Sequence, residues 1–278
     1  MENYRAKNAM LRSLNIIVLL KQVPDIEKVR FDYEKGRLDR SSAGAVINPF
    51  DLNALEAAVQ IKEQTGGIVT VLSMGPLKAE EALRDALARG ADRAVLLSDA
   101  KFAGADTLAT SYTLSCAIRK IEAFDLVVCG EKTIDGDTAQ VGPEVAEFLN
   151  VPHAAYVEEI RKVNAAEIVV KSRLDENCLL VQMRFPGLIT VTKDINNPRL
   201  PTLKDKLNSR KAEVTVWTAN DLSGLAIEQL FGLSGSPTWV AKVYAPSMGK
   251  RKGQIVEGTA EEKAKKVADV LADLNVLR

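Results

Sequence analysis

The residues best suited to chemistry in this 278-residue sequence lie between positions 130 and 142, GEKTIDGDTAQVG. Gly130, Gly136 and Gly142 permit close backbone approach or unusual dihedral angles, and Asp135, Asp137, Thr138 and Gln140 surround them with short donors and acceptors. Such a set is built for binding rather than for breaking bonds. The run before it, Leu126, Val127, Val128 and Cys129, reads as a buried strand, and a helix is expected to begin near Asp137 or Thr138. A strand that breaks into small residues and restarts as a helix leaves the first N–H groups of that helix without partners, which makes an anion or nucleotide site. The bland reading of the same residues is a turn, with Asp137 or Thr138 capping a helix and the glycines reversing the chain.

The surrounding chain reads as a scaffold for such a loop. Residues 14–20 (LNIIVLL) form a near-continuous apolar run, as expected of a strand buried on both faces of a parallel sheet. Residues 31–45 read as a polar loop with a short hairpin. Asn48, Pro49, Phe50 and Asp51 then introduce a helix, with Asp51 as its expected N-cap and Gly66-Gly67 as its stop. Asn48 is either a turn residue or a group able to reach an adenine or ribose. Strands at 68–72 and 94–97 flank a helix around Ala82, Leu83, Ala86 and Leu87, and Asp106 and Thr107 open the next helix, where an N-cap is the bland account of Asp106 and the alternative is that Asp106 and Thr107 lie beside the nucleotide loop and bind the cofactor. Repeated strand, small-residue turn and helix predict a doubly wound, mostly parallel α/β sheet. Residues 155–160, 168–174, 178–184 and 188–192 are β-rich and are expected as hairpins on an antiparallel extension. Three regions follow: an N-terminal extension over 1–13, an α/β domain over 14–222, and a C-terminal arm plus helix over 223–278. Trp239 and Val240 are the candidate anchors of the arm on another subunit.

Composition excludes several classes. Lys plus Arg and Asp plus Glu both number 37, so no nucleic-acid partner is expected, and the one basic cluster, Lys204, Lys206, Arg210 and Lys211, is local. The three cysteines are widely separated and His153 is the sole histidine, which argues against a zinc site or a disulfide framework and for a reducing compartment. The N-terminal apolar run is too short for a membrane span, and the cytoplasm is the expected location. No G-x-G-x-x-G follows the first strand, and neither a P-loop nor a G-x-S-x-G elbow occurs. Redox chemistry, if present, would have to come from a cofactor.

Residues 130–141 (GEKTIDGDTAQV) resemble the adenine-nucleotide loop of the beta subunit of electron transfer flavoproteins. Residues 19–24 (LLKQVP), 47–51 (INPFD) and 73–92 (SMGPLKAEEALRDALARGAD) resemble the same family in the same order, and 197–203 (NPRLPTL) resembles the loop through which it meets redox partners. Together they span most of residues 14–205. The resemblance implies an adenine-nucleotide alpha-hydrolase-like fold and a heterodimer with an alpha subunit that carries FAD. The beta subunit would bind either a structural AMP or a second FAD able to split an electron pair between high- and low-potential acceptors. Acyl-CoA or other dehydrogenases, and an acceptor of quinone-reductase or ferredoxin type, would be its partners. The family's nucleotide contacts fall on Leu19, on Asn48, Pro49, Phe50 and Asp51, on Met74, and on Gly130, Glu131, Lys132, Thr133, Ile134, Asp135, Gly136, Asp137, Thr138, Ala139, Gln140 and Val141. Partner contacts fall on Pro198, Arg199 and Leu200.

Residues 136–143 (GDTAQVGP) and the segment around Asp106 and Thr107 (GADTLAT) are similar to flavin-bifurcating members, which favours FAD over AMP. Glu131, Lys132 and Thr133 depart from the Lys-Gln-Ala commoner in the family. Phosphates are expected on backbone N–H groups near residues 137–140, with adenine against Leu19 and Met74. Asp135 and Asp137 are expected as loop braces, because carboxylates repel phosphate. Two competing readings from other classes are a stand-alone nucleotide sensor and an adenylating enzyme of similar fold. The second lacks a Gly-rich loop after the first strand.

Overall fold

The computed structural model describes residues 13–25, 30–32, 37–39, 44–121, 123–241, 253 and 255–274. The N-terminal extension up to residue 12 and most of the arm over 242–252 lie outside them. The chain divides into two compact units, residues 1–239 and 240–278.

The first unit is built on a nine-stranded sheet. The apolar run near the N-terminus forms β1 (Asn15–Leu19), and because a strand alternates faces, Ile16 and Val18 enter one core while Ile17 and Leu19 enter the other. A short antiparallel pair, β2 (Gln22–Pro24) with β5 (Ala45–Ile47), leaves its end. The expected hairpin appears as β3 (Arg30–Asp32) against β4 (Arg37–Asp39). Three βα steps follow: α1 (Pro49–Thr65), β6 (Ile68–Met74), α2 (Glu80–Ala88), β7 (Arg93–Leu97), α3 (Thr107–Lys120) and β8 (Leu126–Gly130). α1 stops where expected, at Gly66, whose φ of 75° is open to glycine at no steric cost. Helix α4 (Val141–Leu149) then leads to β9 (His153–Val163), β10 (Glu167–Arg173), β11 (Cys178–Arg184) and β12 (Gly187–Val191). The unit also contains α5 (Leu203–Ser209) and β13 (Thr215–Trp217).

The strand order is β11-β10-β9-β12-β8-β1-β6-β7-β13. Strands β9, β10 and β11 make the antiparallel extension, and from β9 to β13 all neighbours run parallel. One expectation is corrected here. Residues 188–192 are not a hairpin arm of the extension, because β12 inserts between β8 and β9 as a parallel strand. All five of its residues are buried, as both-face coverage requires. Helices α1 and α2 cover one sheet face through Leu55, Val59 and Leu83, and α3 and α4 cover the other through Leu114, Ile118 and Val145.

Residues up to 239 belong to this first unit. Phe231, 2% exposed, packs edge-on against Phe102 with ring centroids 5.1 Å apart, and Tyr112 Oη accepts the Ile227 N–H at 2.7 Å. The second unit contains α6 (Ala260–Asp273), opened by a reciprocal capping box between Thr259 and Glu262. Among the described residues no helix is long and apolar enough to cross a membrane.

Candidate functional site

Strands β1, β6 and β8 bring their carboxyl ends to one sheet edge, where open α/β sheets hold their ligands. The Asn-Pro-Phe-Asp start of α1 reaches that edge too, and its role differs from the expected cap. Asn48, not Asp51, occupies the N-cap position, and its side chain makes no capping bond. It is fully buried and turns to the loop after β8, with Nδ2 donating to Lys132 O at 2.9 Å and Oδ1 accepting from Ile134 N at 3.2 Å. Asp51 sits two residues into the helix, 4% exposed, and its carboxylate accepts the N–H of Lys21 at 2.8 Å and of Gly130 at 3.0 Å. Burial pushes this carboxyl up to about 7, against the pull of those two N–H groups, Asn48 and Lys21. Asp51 thereby joins the ends of β1 and β8.

Gly130 makes that junction sterically possible. A Cβ there would lie 2.5 Å from Phe50 Cβ and 2.8 Å from the Phe50 carbonyl carbon. Gly142 plays the same part on the other core, where a Cβ would meet Thr190 Cγ2 at 2.5 Å and Cys129 Sγ at 3.0 Å. Cys129 is buried, and burial raises its thiol far above the ordinary range, so it behaves as a core residue.

Beyond Ile134 the loop turns outward. Asp135 is held by both oxygens to Lys21 Nζ, at 3.0 and 2.8 Å, and Asp137 pairs with Lys132 Nζ at 2.8 Å. Partial burial works to raise the Asp135 carboxyl, but hydrogen bonds and charge from Lys21 outweigh it and leave the group below its ordinary value. The expected helix start at 137 or 138 is corrected: Asp137 (φ 53°) and Ala139 (φ 55°) are both left-handed, so the chain cannot be helical there, and α4 begins at Val141. The consequence is a longer polar cradle. Among the described residues, the N–H groups of Thr138, Ala139 and Gln140 meet no acceptor, while Val141 and Gly142 open a helix whose first-turn N–H groups have no intrahelical partner. The donors of Thr138 and Gln140 are exposed and that of Gly142 is buried; Asp135 and Asp137 are paired with Lys21 and Lys132, while Glu144 in the first turn of α4 accepts from the Thr107 and Ser111 hydroxyls, and the exposed donors suit a phosphate.

The other candidates divide. Leu19 is 5% exposed and offers little surface, whereas Met74, at the end of the neighbouring strand, is half-buried. Thr107 Oγ1 lies 3.2 Å from Gln140 Oε1 and so joins the loop. Asp106 is spent elsewhere: it caps α3 through Ala109 N at 3.0 Å and holds Thr238 N and Oγ1 at 3.1 and 2.8 Å. A cleft lined by Thr70, Arg93, Lys120 and Trp217 opens at the amino ends of β6 and β7, away from these groups.

Residues of α1 from Asn53 to Glu63 hold the second candidate region. Arg199 grips Glu56 (Nε to Oε2, 2.8 Å) and Glu63 (Nη1 to Oε1, 2.6 Å), and Arg89 donates to its carbonyl at 2.7 Å. Asn53 and Asn196 exchange bonds between Nδ2 and backbone oxygen at 2.8 and 3.0 Å. Arg199 is therefore a clasp rather than a free contact residue. Leu200 beside it is 84% exposed, so it does not pack into the core, and Pro198 is half-buried. Sequence reasoning missed the partners of this clasp, although Asn53, Glu56, Gln60 and Glu63 stand three or four apart on one helix face. It also missed Tyr156, half exposed at φ 55° with its N–H on Thr190 Oγ1 at 3.0 Å, for which a pattern of residue types carries no signal.

Comparison with known proteins gives the family. The profile of the family described as "Electron transfer flavoprotein domain" matches residues 35–222. The chain is 44% identical over 265 residues to an electron transfer flavoprotein subunit beta of Thermoanaerobacterium thermosaccharolyticum, covering 95% of this chain and 100% of that one. It is 46% identical over 250 residues to Protein FixA of Azorhizobium caulinodans, with 88% and 89% covered. It is 40% identical over 247 residues to the caffeyl-CoA reductase-Etf complex subunit CarD of Acetobacterium woodii, with 88% and 93% covered. The chain belongs to the electron transfer flavoprotein family, as a beta subunit.

Proposed function

We propose that this electron-carrier subunit binds FAD at the loop over residues 130–142 and works as one half of a heterodimer whose alpha subunit carries a second FAD. The observation that carries the nucleotide reading is the run of unpartnered N–H groups from Thr138 to Gly142, presented at the start of α4 where Asp135 and Asp137 are paired with Lys21 and Lys132. Residues 136–143 and Thr107 favour FAD over AMP through their likeness to flavin-bifurcating members. When bound, the flavin would supply the electron-accepting chemistry. The residues of this chain bind and orient it: the N–H groups take the phosphates, Thr138 and Gln140 add side-chain donors, and the half-buried Met74 offers an apolar surface for the base.

Counting nucleotide tests this. The chain is co-expressed with its alpha partner, the complex is denatured, and released FAD and AMP are measured per heterodimer. Two FAD and no AMP is the expected result. One FAD with one AMP would remove the flavin from this subunit, and failure of any alpha subunit to co-purify would favour a stand-alone sensor.

The loop over 196–202 is proposed as the contact with redox partners, with Leu200 as its anchor, since an exposed apolar side chain on a clasped, proline-stiffened loop loses little entropy on docking. Leu200→Asp is expected to slow electron transfer from a dehydrogenase partner at least tenfold while shifting unfolding free energy by less than about 0.5 kcal/mol. An unchanged transfer rate would place the contact elsewhere.

A further inference from the structure

We infer that Asn48 and Asp51 act on the nucleotide through the loop and not by touching it: they are positioning residues that mould residues 130–134, and this role rests on the nucleotide reading above. Asn48 has no surface to offer a ligand, being 0% exposed. Its carboxamide is matched to the loop's main chain like a neighbouring strand, giving to Lys132 O and taking from Ile134 N. Its own N–H donates to Lys21 O at 2.9 Å, so the same residue is tied to the end of β1. Asp51 supplies the complementary acceptors, one oxygen for the chain leaving β1 and one for the chain leaving β8. Four side-chain bonds and the Asn48 N–H bond to Lys21 O thus fix where the loop departs, and Lys21 extends the hold to Asp135. The donors from Thr138 to Gln140 span the gap between this fixed start and α4, which Gly142 seats against Thr190 and Cys129, so their direction is set by these residues upstream and by α4 downstream. A carboxamide at 48 and a carboxylate at 51 are needed for different reasons: the loop presents one carbonyl and one N–H to the first, whereas the second receives two N–H groups, one from Gly130 and one from Lys21 at the end of β1.

Amide hydrogen exchange on the nucleotide-free full chain, paired with titrations of FAD and AMP as separate probes, distinguishes positioning from contact. Asn48→Ala should speed exchange of the Ile134 amide at least tenfold before any nucleotide is added, and should weaken binding by tenfold or more. Asp51→Asn should do the same for the Gly130 and Lys21 amides. Thr138→Ala, by contrast, should weaken binding with exchange across 130–134 unchanged. Asn48→Ser, which keeps a small polar group, replaces Asn48→Ala if that variant does not fold. Weakened binding with wild-type exchange at Ile134 would make Asn48 a direct contact, and altered exchange with wild-type affinity would make it merely structural; either overturns the inference. Wild-type protein that binds neither FAD nor AMP would overturn the nucleotide reading and the inference with it, a result distinct from both.

Discussion

Gly130→Ala is expected to yield a protein that has lost its nucleotide and about 3 kcal/mol of unfolding free energy, close to the upper end of what one extra methyl costs in a packed region. The new Cβ would lie 2.5 Å from Phe50 Cβ, 2.6 Å from Asp51 Oδ1 and 2.8 Å from the Phe50 carbonyl carbon. None of these atoms is the free end of a flexible side chain. Phe50 belongs to the first turn of α1, and Asp51 is held in place by the N–H of Lys21 as well as that of Gly130 itself. Relief therefore requires α1 and β8 to separate, which breaks the junction that launches the loop. Gly136→Ala is the control for stability: its φ is not in the left-handed region, and its Cβ would meet only Thr133 Oγ1 at 3.3 Å, a hydroxyl that can rotate away. Urea midpoints and released nucleotide for the two variants measure the contrast. A Gly130→Ala protein that melts like wild type and keeps its nucleotide would show that the close approach at Gly130 is dispensable.

Arg199→Ala is expected to cost about 2 kcal/mol, less than the roughly 3–5 kcal/mol for breaking a fully buried pair because the guanidinium is a third exposed. The loss arises from what stays behind. The side chain of Glu56 is only 6% exposed and would keep its charge with Gln60 as its remaining side-chain partner. The pH dependence has a definite sign. Burial works to raise the Glu56 carboxyl, but hydrogen bonds from the Arg199 side chain and backbone outweigh it, and Glu63 is lowered chiefly by its bond to Arg199. Both folded values lie below the ordinary 4.5, so the unfolded chain takes up protons first as the solution is acidified. The stability these pairs contribute is complete above about 4.5 and is lost as pH falls through the lowered folded values. Unfolding curves of wild type and variant should therefore differ most near pH 7 and converge below pH 4.5. A gap that persists unchanged at low pH would mean that Arg199 acts through packing instead.

Helix α1 links the two candidate regions. Its N-terminal end holds the candidate loop over 130–142 through Asn48 and Asp51, and Asn53, Glu56 and Glu63 hold the loop that carries Leu200. One rigid element thus fixes both the place where a nucleotide would sit and the place where a redox partner would dock.

The sequence alone determined the fold class and the strand-turn-helix order around the candidate loop, because both depend on local patterns. Continuous apolar runs marked β1 and β8 as strands buried on both faces, glycines marked helix ends, and Asp106 was readable as a cap from its position before an amphipathic helix. The five motifs that carried the family resemblance were also local. Tertiary structure alone decided which residues use their polar atoms on one another. Asp51 looked like a cap because Asp before an apolar helix usually is one, but a carboxylate facing the N–H groups of Lys21 and Gly130, 30 and 79 residues away, is better used there. Residues 188–192 looked like one more hairpin strand because β-propensity does not distinguish a parallel neighbour from an antiparallel one; only the space between β8 and β9 did. The helix start at Val141 likewise depended on left-handed Asp137 and Ala139, conformations that neither residue type announces and that the surrounding contacts must impose. Arg199 read as a surface contact until Glu56 and Glu63, more than a hundred residues earlier, closed on it. Long-range pairing of polar groups is set by three-dimensional proximity, which residue spacing along a chain does not encode.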